Sequence, residues 1–189
     1  MGQRKKLTFN DYKMVNKLYE CSDKCPNQLP CRNGGYPSPK NCNFCVCNDF
    51  YSGTYCVTMH CDLQDWNSVR SIYNTTYNET LFTSGNNYNW DMFQKDDAGM
   101  IMAPEGRKIR VTVEKIYAAW GQLNCYVGCP FVGLEFVDNV NGDLSTMGKI
   151  FCCTKDEGYS FISKSNVIGY KAYASPGMPF DAAVKYTIV

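Results

Sequence analysis

A chain of 189 residues with a formal net charge of +1 and 20% charged residues carries no field strong enough to draw nucleic acid or an anionic membrane. No apolar run approaches the ~20 residues of a membrane helix, and Arg4-Lys5-Lys6 is too short for a polybasic anchor. The length allows one large or two small domains. Cysteine spacing decides for two. Of twelve cysteines, eight precede residue 62, none falls between Cys61 and Cys125, and four follow.

Met1 to Lys6 has the charge of a signal-peptide start, but Leu7-Thr8-Phe9-Asn10-Asp11 puts no apolar core behind it. The cysteines point to a secreted protein while an export signal is absent. The simplest reading is the C-terminal part of something longer. Residues 8 to 19 then read as a helix. Thr8 caps it, Asp11 answers three residues on, and Tyr12, Val15 and Tyr19 share a face joined by Leu18. So short a helix is unstable alone and must dock, yet no partner for it is obvious in the sequence.

Residues 22 to 60 hold Cys25, Cys31, Cys42, Cys45, Cys47 and Cys56 among Pro26, Pro30, Gly34, Gly35, Pro37, Pro39 and Gly53. That punctuation excludes long helix and leaves short hairpins. The segment cannot bury enough apolar surface to fold unaided, so disulfides must hold it, which implies an oxidising compartment. Residues 61 to 189 read as β. Ile109, Val111 and Val113 alternate with Arg110, Thr112 and Glu114, and Leu134, Phe136 and Val137 stand against Glu135. Ile168 to Ala174 and Ala182 to Val189 are two further strands. Asn141-Gly142 and Ser175-Pro176-Gly177 mark turns. A β-sandwich of short strands follows.

Several features take bland readings. His60, the sole histidine, is a linker residue, so a serine nucleophile has no well-placed base. Cys42/Cys45 and Cys125/Cys129 have zinc-like spacing, but no second clean C-x-x-C completes a site, and the C-x-C at Cys45 and Cys47 favours disulfides. Trp66, Trp90 and Trp120 read as packing residues, and Asp96-Asp97 as a solvated loop. Asn74-Thr75-Thr76 and Asn78-Glu79-Thr80 are glycosylation sequons at Asn74 and Asn78.

The six-cysteine pattern, with Asn33-Gly34-Gly35 after its second cysteine and an aromatic-glycine approach to its last, resembles an epidermal-growth-factor (EGF)-like module over residues 22–60. The resemblance implies Cys25–Cys42, Cys31–Cys45 and Cys47–Cys56. Sequence alone permits other connectivities, Cys25–Cys45 among them. With only Asp23 before the first cysteine, no calcium site is expected. Cys129-Pro130-Phe131-Val132-Gly133-Leu134-Glu135-Phe136, Phe151-Cys152 and the run from Phe180 to Tyr186 are similar to a CUB domain over residues 61–189. That implies Cys129–Cys152. Val132 stands where many such domains have a calcium-ligating aspartate, so no calcium is expected here either.

Gly2-Gln3-Arg4, Leu7, Asp11, Asn16, Leu18-Tyr19 and Cys21 resemble the end of an astacin catalytic domain, over residues 1–21. Nematode astacins share the order catalytic domain, EGF-like module with N-G-G-Y-P-x-P-K-N-C, then CUB, and residues 33 to 42 read Asn-Gly-Gly-Tyr-Pro-Ser-Pro-Lys-Asn-Cys. The resemblance implies a secreted zinc endopeptidase. Its H-E-x-x-H-x-x-G-x-x-H motif needs three imidazoles, and this sequence has one histidine. The expectation is therefore a mostly β, non-catalytic region with no cofactor of its own, zinc belonging to the full-length family. Its partners would be the missing catalytic domain and a protein substrate or extracellular matrix. The alternative is a stand-alone secreted EGF–CUB adhesion protein. Cys21 is expected to pair in the absent domain, Cys125 with Cys153 is a plausible bridge, Cys61 is left over, and a Cys21–Cys61 pair stays open.

Overall fold

The computed structural model describes residues 7–59, 72–74, 79–85, 96–118, 128–175, 178 and 180–189. His60, Cys61, Cys125, Asn78 and the three tryptophans lie outside them. The fold is mostly β with one short helix, α1 (Phe9–Leu18), followed by a 3-10 turn at Cys21–Lys24. Thr8 and Asp11 form the capping box: the Thr8 hydroxyl accepts the Asp11 N–H at 3.2 Å, and the Asp11 carboxylate accepts the Thr8 N–H at 2.7 Å.

The stapled segment contains two minimal hairpin ladders, β1 (Tyr36–Pro37) with β2 (Cys45–Val46) and β3 (Tyr51–Ser52) with β4 (Thr58–Met59). Ladders of two residues cannot stand alone. Bonds Cys25–Cys42, Cys31–Cys45 and Cys47–Cys56 cross-link them, with Cα separations of 5.3, 5.8 and 5.4 Å.

Nine strands build the sandwich among the described residues. They are β5 (Ile72–Asn74), β6 (Glu79–Gly85), β7 (Asp96–Met102), β8 (Ile109–Ala118), β9 (Val132–Val137), β10 (Lys149–Phe151), β11 (Ser160–Ile162), β12 (Val167–Ala174) and β13 (Phe180–Ile188). One sheet runs β10-β9-β12-β7-β5 and the other β11-β8-β13-β6; only β5 with β7 is parallel. Strand lengths run from three residues in β5, β10 and β11 to ten in β8. Asp96 and Asp97, expected in a loop, open β7 instead, because β12 continues far enough to pair them with Tyr173 and Ala172.

Alternation positions the core. Ile109, Val111 and Val113 are fully buried between the sheets while Arg110 and Glu114 face out. A bulge opposite Ala183/Val184 resets the phase, so that Glu114 and Lys115 are both exposed and Ile116 turns inward. Leu134, Phe136, Ile168, Tyr170, Ala172 and Phe180 belong to the same core. Cys129–Cys152 pins its rim, and the Tyr173 hydroxyl donates to the Cys129 carbonyl at 2.6 Å.

The other face of the five-stranded sheet is not solvated throughout. Met100, Gly169 and Val137 form one row across β7, β12 and β9. The stapled segment sits on this row, which is why Val137 of β9 is buried although it faces away from the inter-sheet core.

Candidate functional site

Two features stand out among the described residues, and both begin with local sequence. The first is the junction between stapled segment and sandwich. Asn48 starts a turn in which its own side-chain oxygen accepts the Phe50 N–H at 3.0 Å. This aims the Phe50 ring at the sheet, where it is 6% exposed. Its landing place is Gly169, in the middle of the buried row. A Cβ there would lie 2.8 Å from the ring, so the absent side chain makes the dimple that the ring fills. Leu144, on the loop between β9 and β10, closes the pocket and is 2% exposed. Burying Phe50 and Leu144 is worth about 1.5–3 kcal/mol each.

Polar contacts frame this core. Lys171 reaches Asp49 at 3.0 Å, a surface ion pair worth at most about 1 kcal/mol. Gly34 adopts φ +76 and packs against the same loop, where a Cβ would lie 2.7 Å from the Ser145 hydroxyl. Asp143 stiffens the loop by accepting the Ser145 N–H at 2.8 Å. Burial, with the Asp143 charge nearby, pushes the Tyr51 hydroxyl's pKa up.

The second feature is α1. The helix is not orphaned, contrary to the expectation from sequence. Its inward side is Phe9, Asn10, Lys13 and Asn16, spaced by three and four. Phe9 packs on Tyr36 at 5.5 Å between ring centroids. Asn10 donates to the Ser145 carbonyl, and Lys13 donates to the Gly34 carbonyl at 2.8 Å. Burial raises the Tyr36 hydroxyl's pKa against a hydrogen bond to Asn16. The hydrophobic pattern of α1 pointed to the Tyr12, Val15 and Leu18 side, whereas the docked side combines one aromatic contact, Phe9 on Tyr36, with polar ones from Asn10 and Lys13.

The apolar side of α1 points the other way. Tyr12, Met14, Val15, Leu18 and Tyr19 are all exposed, Leu18 by 76%. An amphipathic helix normally buries this face. Here the polar face is docked and the apolar face is presented.

The remaining residues singled out by sequence fall as follows. Cys21 is a free, half-buried thiol just after α1, and Cys153 is disulfide-bonded. Asn74 ends β5. Among the described residues no group of three His, Cys, Asp or Glu side chains could hold a metal ion, and no helix is long and apolar enough to cross a membrane. A catalytic zinc of that family needs three imidazoles and the sequence has one histidine, so the residues present do not fit that ion.

No protein-family model matches the chain. It is similar to zinc metalloproteinase nas-29 of Caenorhabditis elegans, 28% identical over 189 residues, which is 100% of this chain and 34% of that protein. Zinc metalloproteinase dpy-31 of the same nematode is 50% identical over 56 residues, 30% of this chain and 9% of that protein. Among solved structures, the CUB1-EGF-CUB2 domains of rat MASP-1 align with a TM-score of 0.46 at 16% identity, over 89% of this chain and 56% of that one. The chain spans about a third of the length of the curated relatives that it matches end to end.

Proposed function

Because the homologues of this protein are nematode astacin zinc metalloproteinases, we propose that it is the non-catalytic accessory region of such a protease, binding protein substrate or extracellular matrix for a catalytic domain. The reading is carried by similarity along the whole chain to zinc metalloproteinases of which it spans 34%. Peptide-bond hydrolysis by zinc-activated water belongs to the parent enzyme; the accessory region contributes contact and position. Residues 1–21 end the catalytic domain, 22–60 form the EGF-like module and 61–189 the CUB domain. The protein is secreted, with glycans on Asn74 and Asn78.

The presented face of α1 supports this reading. Tyr12, Val15, Leu18 and Tyr19 make an apolar seat for the catalytic domain, while Asn10 and Lys13 hold the helix to the accessory modules. The test supplies an astacin catalytic domain in trans and follows hydrogen exchange across residues 8–20. Protection of that segment, lost in Leu18→Asp, together with binding to a matrix preparation, is the expected result. A protein that leaves residues 8–20 unprotected and still binds matrix would be the stand-alone adhesion protein. Zinc-dependent cleavage by the isolated protein would overturn both.

A further inference from the structure

Two Asn-Gly pairs, Asn33-Gly34 and Asn141-Gly142, are treated oppositely by the fold. Asn33 is half-buried with φ +50, and its amide donates to the Cys56 carbonyl at 2.8 Å. Its own backbone carbonyl accepts from the Asn48 amide at 2.9 Å. Gly34 is pressed against the loop of Ser145. The side-chain amide is held by its hydrogen bond and Gly34 by its packing, and both oppose the approach that cyclisation needs. Asn141 is exposed, and among the described residues its side chain makes no hydrogen bond. Gly142 has open space around its Cα, with nothing within 4 Å of a built Cβ. Its N–H is held only by the Asn139 carbonyl at 3.1 Å, in a surface turn. Opening one exposed turn costs little beside opening a cross-linked one.

We propose that Asn141 is a site of spontaneous modification, and that this modification loosens the junction between module and sandwich. The Gly142 nitrogen loses its proton to solvent base and attacks the amide carbon of the Asn141 side chain. The new bond closes a five-membered imide, and the bond from that carbon to the amide nitrogen breaks, releasing ammonia. One solvent water then opens the imide at either carbonyl, giving aspartate or isoaspartate. No oxidant, reductant or enzyme is needed.

The position makes the product matter. Isoaspartate inserts one extra backbone carbon just ahead of Asp143, Leu144 and Ser145. Those three cap the loop, fill the Phe50 pocket and receive the helix through Asn10. A new carboxylate also appears close to Asp143, which must keep its oxygen on the Ser145 N–H. Both changes pull Leu144 from its seat. This inference does not depend on the protease reading.

The test ages the intact, oxidised protein at mildly alkaline pH and maps isoaspartate by peptide mass spectrometry with isoaspartyl methyltransferase labelling. Label is expected at Asn141 and not at Asn33, with complete loss in Asn141→Gln, whose longer side chain disfavours the cyclisation. Hydrogen exchange at residues 143–146 should quicken in the aged protein and stay constant in the aged Asn141→Gln protein. An unlabelled Asn141, or labelling of Asn33 at the same rate, would overturn the site. Labelled protein whose loop exchanges no faster than fresh protein would overturn its effect on the junction.

Discussion

The stapled segment and the sandwich solve the same problem by opposite means. Segment 25–59 has ladders of two residues and three disulfides. The sandwich has strands of up to ten residues and a core of fully buried Ile, Val, Leu, Phe and Tyr. The first restricts its unfolded state; the second removes apolar surface from water. The junction belongs to the second class. Phe50 is presented by the stapled segment, but its stabilisation comes from a pocket in the sheet.

Deleting a core ring tests the sandwich hardest. Phe136→Ala should cost about 3–5 kcal/mol, read by chemical denaturation, and should leave the three module disulfides intact by mass. Removing one bond, Cys47→Ser with Cys56→Ser, should cost about 2–4 kcal/mol. Its hydrogen-exchange signature should stay within residues 29–59 and the sheet row beneath Phe50. Loss of protection throughout the sandwich would mean that the comparison is drawn too sharply. Gly169→Ala probes the junction and should cost about 1–3 kcal/mol by overpacking. On a Phe50→Ala background the same change should cost much less, since the ring it strikes is gone. Equal costs on both backgrounds would place the clash elsewhere. Lys171→Met should change stability by no more than about 1 kcal/mol, and less in high salt.

Acidification probes the helix cap. The Asp11 carboxyl lies below its usual pKa, first because it accepts the Thr8 backbone N–H and then the Thr8 hydroxyl. A depressed folded-state value means that the stabilisation is complete above the unfolded-state pKa and drains away as pH falls through the folded one. Helical circular dichroism should therefore decline on the acid side of the ordinary carboxylate range, and Asp11→Asn should flatten that dependence.

Much of this architecture was legible in the residues. Alternation at Ile109 to Glu114 foretold β8 and its inward face, and Thr8 with Asp11 foretold where α1 starts. The limits had physical causes. Periodicity finds elements but not the neighbours on their outer faces, so Val137 read as the end of a strand and not as a floor for Phe50. A glycine inside a strand signals close approach without naming what approaches, and Gly169 sat unremarked within a β run. The docking of the helix was the clearest miss. Its Tyr12, Val15 and Leu18 side drew attention, while its attachment runs through Phe9 on Tyr36 and through Asn10 and Lys13 to main-chain carbonyls.

The dimple at Gly169 also sets a rule for anyone who would cut and graft this molecule. A donor module carrying a bulky aromatic at the position of Phe50 will seat only on a host whose sheet leaves that one spot bare. The ring and the vacancy must travel as a pair, however well the cysteines of the transplant are spaced.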